Sequence, residues 1–187
     1  ISAFLFQLME KKGIQTHYIS TIPERIMCCK RVKIIPIEVV VRNVATGSIV
    51  RQTTLEEGRI FNWPLVEYYL KDDEKDDPLL THDRVRLMGI DPAPMKEQAL
   101  EINHYLQSLF TIIGIDLVDF KLEFGYDVHG DLYLADELSP DNMRLWKKGT
   151  KEKFDKDLFR KDEGNIVEAY KHILLKLDDM YKYFVTS

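Results

Sequence analysis

From position 118 to 125 apolar and polar side chains alternate without interruption, with Val118, Phe120, Leu122 and Phe124 on one side and Asp119, Lys121, Glu123 and Gly125 on the other. A period of two marks a half-buried strand. Residues 127–131 carry the turn signals of a hairpin. A turn about His129-Gly130 sets Glu123 opposite Asp136 on one face, where Cβ atoms lie about 4.5 to 5.5 Å apart. Carboxylates that close repel each other unless a positive charge lies between them. Magnesium answers that need, since it takes one or two carboxylates together with nucleotide phosphates. Lys121, on the same face, is placed to meet those phosphates as a point charge. A surface hairpin with scattered charges is the competing reading.

The same periodicities place the other elements. Ile1, Phe4, Leu5 and Leu8 recur at helical spacing and end at Lys11, Lys12 and Gly13, predicting an amphipathic N-terminal helix. Because Ile1 is not methionine and the helix starts at once, further residues upstream are expected. Strands are predicted at 15–21, 25–32 and 37–42, with Pro36 as a joint between two units because it lacks a backbone donor. A loop at 43–48 contains Gly47, and 62–70 reads as a short helix with a polar cap and Pro64 near its start. The KDDEKDD run at 71–77 reads as a solvated loop. Met95, Ala99, Ile102, Leu106, Leu109 and Ile113 form the stripe of a core helix stopped by Gly114, packed against the hairpin. A last helix from Ile166 carries Tyr170, Ile173, Leu177, Met180 and Phe184 on one stripe, with Asn165 and Glu168 in capping-box positions.

Composition narrows the class. A chain of 187 residues, 45% hydrophobic and 30% charged, is an ordinary globular protein with one sizeable core or two small ones. A net charge of -5 argues against nucleic acid as the main partner and favours small molecules. Cys28 and Cys29 are adjacent, lack metal-ligand spacing and read as small core residues of a protein in a reducing compartment. No apolar run approaches a membrane span, so a cytoplasmic location is expected, with no membrane partner. His17, His82, His104, His129 and His172 fall on separate elements without ligand spacing.

Two further groups suggest anion chemistry. Arg42 ends a strand and Ser48 follows a short glycine-containing loop, so a guanidinium, a hydroxyl and backbone donors can converge on a phosphate. Ser139, Pro140 and Asp141 lead to Arg144, and beyond it Asp155, Lys156, Asp157 and Arg160 alternate in sign. Such a cluster suits a zwitterion, and it equally suits a charged helix start with local ion pairs.

Four strings in this order, IEVVVRNVATGS (37–48), LVDFKLEFG (117–125), ADELSPDNMRLW (135–146) and DKDLFR (155–160), resemble the SAICAR synthetase family of purine biosynthesis. The resemblance implies an α+β, two-lobed fold related to ATP-grasp and kinase-like architectures, with nucleotide between the lobes. Residues 1–35 would be the remainder of an N-terminal ATP-binding lobe and linker, and 36–187 the substrate- and metal-binding domain. It also implies an ATP-dependent ligase joining carboxyaminoimidazole ribonucleotide (CAIR) to L-aspartate through an acyl phosphate, with magnesium as cofactor. Carried over residue by residue, Glu123 and Asp136 would bind magnesium and, with Lys121 and Ile34, the nucleotide. Glu38, Arg42, Ser48, Asp141 and Arg144 would hold the ribonucleotide. Lys156, Asp157 and Arg160 would meet aspartate, with Lys121 and Asp157 as the catalytic candidates. A homodimer stays open.

Departures from the family pattern are equally specific. The family's glycine- and lysine-containing strand segment, which covers the ATP phosphates, has no match here, and residue 1 enters at the helix after the first sheet of that lobe. The N-terminal lobe is therefore expected to be incomplete and these 187 residues alone inactive as a ligase. The chain also looks shorter than the family at Asp91-Pro92-Ala93-Pro94. Two other readings remain: another kinase-like ATP-dependent phosphotransferase, since a metal-binding hairpin does not name the phosphoryl acceptor, and a non-catalytic nucleotide-binding module.

Overall fold

The structure, a computed structural model, describes residues 1–22, 26–154 and 166–186. Its centre is a six-stranded sheet built from β3 (Lys33–Val44), β4 (Ile60–Leu70), β5 (Leu79–Leu80), β6 (Ile115–Tyr126), β7 (Leu132–Ala135) and β8 (Met143–Lys147). The order is β5-β4-β3-β6-β7, and β8 pairs with the first half of β6 while β7 pairs with its second half. All of these pairings are antiparallel. A separate ribbon, β1 (Tyr18–Ile22) with β2 (Ile26–Cys29), precedes the sheet.

Alternation along β3 and β6 divides the sheet into an apolar and a polar face. Ile35, Ile37, Val39 and Val41 are buried, as are Phe120, Leu122 and Phe124. These residues form one core with α4 (Ala93–Ile112), whose Met95, Ala99, Ile102, Leu106 and Leu109 are buried at the spacing the sequence predicts. Two other helices join that core, α1 (Ser2–Lys11) through Leu5, Phe6 and Met9, and α5 (Ile166–Thr186) through Ile173 and Leu177. Two further helices among the described residues, α2 (Ser48–Gln52) and α3 (His82–Leu87), are short. On the polar face the register brings Glu38 opposite Glu123, Val40 opposite Lys121 and Arg42 opposite Asp119.

Several sequence expectations change. Residues 62–70 are strand, not helix. Leu65 pairs with Arg42 and Ile60 with Val44, so 61–64 loop out of the ladder and Pro64 sits where a missing donor costs nothing. Val66 and Tyr68 then pair with Val41 and Val39, tertiary contacts that outweigh the local capping signals. β3 runs through Pro36, which falls within an irregularity of the β3–β6 register between Ile34 and Glu38, and the 35/36 boundary lies inside this strand. Period two breaks once in β6, where a bulge between Leu117 and Asp119 sends Val118 to pack with Val44 and Trp146. The buried face of α1 is Leu5, Phe6 and Met9, whereas Ile1, Phe4 and Leu8 are half-buried. Cys28 is half-buried and Cys29 exposed, because the β1–β2 ribbon stands apart from the main sheet. Asn165, the expected cap of α5, lies outside the described residues.

Candidate active site

The hairpin turn decides which acids meet. The Asp127 amide donates to the Asp131 carbonyl at 3.1 Å, while Asp127 Oδ1 accepts from the His129 and Asp131 amides at 2.8 and 3.1 Å. The loop is therefore three residues, 128–130, with Gly130 at φ +86° supplying its left-handed position. One extra loop residue shifts the register by one, so Glu123 pairs with Ala135, not with Asp136. Asp136 follows, exposed and at φ +59°, where β7 has ended. The acid that does face Glu123 is Glu38, across β3.

Lys121 lies between those two carboxylates. Its Nζ donates to Glu38 Oε1 at 2.7 Å and to Glu123 Oε1 at 2.8 Å. The other oxygen of Glu123 accepts from Lys71 Nζ at 2.6 Å. Glu123 itself is only 2% exposed. Burial works against the charged form of both residues and is the largest single influence on each, yet the hydrogen bonds win. The two lysines hold the Glu123 carboxyl below its ordinary range, and the two glutamates hold the Lys121 ammonium above its own.

A second row of charge runs parallel to the first. Arg42 Nη1 donates to Asp119 Oδ2 at 2.9 Å and Nε to Glu67 Oε2 at 2.6 Å, while Nη2 reaches Ser48 Oγ at 2.8 Å and Tyr69 Oη at 3.2 Å. Arg144 Nη1 meets the same Asp119 carboxylate at 3.2 and 2.9 Å. Burial disfavours the Arg42 cation, but Asp119 and Glu67 outweigh it and raise its pKa. Gly47, at φ +68°, lies so close to Arg144 that a Cβ there would be 3.0 Å from Nη2. The two rows border a cavity of about 230 Å³ lined by Glu38, Arg42, Ser48, Lys121 and Arg144, with Arg51 from α2 on its rim. A larger hollow of about 560 Å³, beside Trp63 and Trp146, contains none of these groups.

Five of the residues singled out in the sequence thus converge on one cavity. Asp141 is not among its lining residues. It is exposed and accepts from Tyr170 Oη at 2.7 Å, while neighbouring Asn142 lines the cavity and donates to the Lys121 carbonyl at 3.0 Å. Ile34 lies in β3 opposite Gly125, 38% exposed. Lys156, Asp157 and Arg160 lie outside the described residues. Sequence reasoning missed Lys71, Glu67 and Tyr69. The two β4 residues were hidden by the helix expectation, and Lys71 by the charged run it opens. Asp119 was on the right face of the alternation, yet its partners, Arg42 and Arg144, come from the neighbouring strands on either side.

An α+β protein with arginine, hydroxyl and lysine–carboxylate groups gathered on one sheet face is built to handle anions beside a carboxylate cluster. A sequence model of the SAICAR synthetase family matches residues 1–177, and the chain belongs to that family. It is 46% identical over 185 residues to the phosphoribosylaminoimidazole-succinocarboxamide synthase of Shouchella clausii, covering 97% of this chain and 77% of that protein. The enzyme of that name from Wolinella succinogenes is 47% identical over 182 residues, with 95% and 77% coverage. Among solved structures, a SAICAR synthetase in complex with ADP superposes with a TM-score of 0.91 at 42% identity, covering 94% of this chain and 77% of the other. The Pyrococcus horikoshii SAICAR synthetase gives 0.91 at 41% identity, with 95% and 80% coverage.

Proposed function

We propose that the chain is an ATP-dependent ligase that joins CAIR to L-aspartate, giving SAICAR, ADP and phosphate. Family membership supports the reaction, and the observation that carries it to particular residues is the pair of charge rows around one cavity. In this reading the ribonucleotide phosphate is held by Arg42, Ser48 and Arg144, as the family resemblance implies. Its carboxylate then points toward Lys121. Ile34, at the start of β3, would lie beside the adenine on the nucleotide side of a two-lobed fold related to kinase-like architectures, with the sheet from the second half of β3 onward on the substrate side.

A carboxylate resists amines because its charge repels them and oxide leaves poorly. Attack of the CAIR carboxylate oxygen on the terminal phosphorus of ATP forms an acyl phosphate and releases ADP. The amine of aspartate then attacks the activated carbonyl carbon, phosphate departs, and the amine proton is lost. Lys121 supplies a positive charge beside the transferring phosphoryl group. Lys71, tied to the same Glu123, is a second such donor. Asp157 is the candidate base for the amine, with Lys156 and Arg160 beside the aspartate carboxylates.

Glu123 and Asp136 fit magnesium by donor chemistry, being hard oxygen ligands within one step of each other across the β6–β7 register. Glu123 is already held by two ammonium groups that nucleotide phosphates can take over as partners. When bound, the ion would neutralise phosphate charge and orient the terminal group.

Release of ADP, followed with each substrate omitted in turn, tests the reading: full turnover requires CAIR, aspartate and magnesium-ATP together. ADP formed equally fast without aspartate and without CAIR would mean transfer to water and count against the ligase reading. Asp136→Asn is expected to remove metal-dependent turnover while leaving the melting temperature within about 2 °C, as befits an exposed residue.

A further inference from the structure

The charge balance of the polar face singles out one residue. Its carboxylates, Glu38, Glu67, Asp119 and Glu123, are each engaged by a cation, and Arg42, Lys71, Lys121 and Arg144 are each engaged by a carboxylate. Among the described residues these four charges of each sign balance one another. A phosphate monoester carries close to two negative charges near neutral pH, and a neutral cluster offers it hydrogen bonds but little net Coulomb attraction. Arg51 is different. It lines the same cavity, is exposed, and has no ion pair or side-chain hydrogen bond among the described residues. It lies three positions after Ser48 on α2, so the two side chains share a helix face.

We infer that Arg51 is the surplus cation of this site, the residue that closes on the phosphate of the bound ribonucleotide and sets its affinity. The inference rests on the ligase reading for the identity of the ligand, but not for the class of ligand, which is a phosphate monoester. Arg42 and Arg144, pinned by Asp119, form the fixed floor. Arg51, with nothing to leave behind, moves from water to the ligand without breaking an ion pair. It binds the remote end of the substrate, away from the reacting carboxylate, so its contribution appears in ground state and transition state alike.

Steady-state kinetics on the full chain, with Arg51→Gln and Arg51→Lys beside the unsubstituted protein, test this. Arg51→Gln is expected to raise the KM for CAIR about tenfold with kcat within about twofold, and Arg51→Lys to recover most of the loss. The KM for ATP and the melting temperature of the free protein should not move. Inorganic phosphate, titrated by calorimetry, should bind the unsubstituted chain and bind Arg51→Gln about tenfold more weakly. A KM for CAIR and a phosphate affinity both unchanged in Arg51→Gln would overturn the inference and leave the ligase reading intact. If phosphate binds the unsubstituted chain through Arg51 but CAIR does not bind it, the ligase reading fails and the anion site stands.

Discussion

Glu123 ties the lysine row of the polar face together. It is buried, faces a like charge on the neighbouring strand, and is held by two lysines at 2.6 and 2.8 Å. Its lowered pKa means that it stabilises the fold above its ordinary value of 4.5 and loses that contribution as pH falls through the folded value. Lys121 carries the opposite sign. Its raised pKa gives stability that is complete below its ordinary value of 10.5 and lost as pH climbs through the folded value. Both contributions are present across the neutral range. Glu123→Gln should therefore cost about 1 to 2 kcal/mol at pH 7, a figure kept low because Lys71 is 46% and Lys121 30% exposed. Denaturant melts between pH 3 and 7 should show the substituted chain losing less stability on acidification than the parent. Parallel curves would mean that the Glu123 carboxylate is not selectively stabilised in the fold. Alternation in the sequence put Glu123 and Lys121 on one face. The identity of the opposing acid was not legible, because it depends on whether the hairpin loop has two residues or three, and that is decided by hydrogen bonds to Asp127.

Elements deliver these side chains, and the turn from β3 into α2 packs directly against one of them. Gly47 occupies a left-handed conformation with the Arg144 guanidinium against it. Gly47→Ala adds strain of about 1 kcal/mol from the positive φ and a Cβ that Arg144 must move to avoid. Gly149 is a matched control, since it has φ +72° and nothing within 4 Å of the added Cβ. Both alanine variants should lower the melting temperature, Gly47→Ala by at least as much as Gly149→Ala. Only Gly47→Ala should raise the KM for the ribonucleotide, by about tenfold through a displaced Arg144. Equal KM values for the two would detach Arg144 from substrate binding. Element type was readable wherever one periodicity ran unopposed, as in β6 and α4. It failed at 62–70, where Asn62 and Pro64 imitate a helix start while the pairing that makes β4 a strand comes from residues more than twenty positions earlier. Lys71 was lost with it, because a lysine at the head of a charged run gives no sign that its ammonium reaches β6.

For the whole molecule, the arrangement separates folding from ligand binding. The apolar face of the sheet carries the core with α1, α4 and α5, while the polar face carries charges that already neutralise one another. A site built this way does not need a metal to fold, unlike small domains whose ligand clusters repel until an ion arrives. Lys71 and Lys121 hold the Glu123 carboxylate, and in the proposed reaction the nucleotide phosphates would exchange those partners instead of creating the first ones. Chelation with EDTA should then abolish ADP formation while shifting the melting temperature of the nucleotide-free chain by no more than about 1 °C. Added ATP should raise the melting temperature strongly with magnesium and much less with the chelator, by the linkage between binding and stability. A large fall in the melting temperature of the nucleotide-free chain on chelation would mean that a metal supports the fold itself. The lysines would then be secondary partners of Glu123, and Lys71→Met, expected here to weaken ATP binding with modest loss of stability, would leave the KM for ATP unchanged.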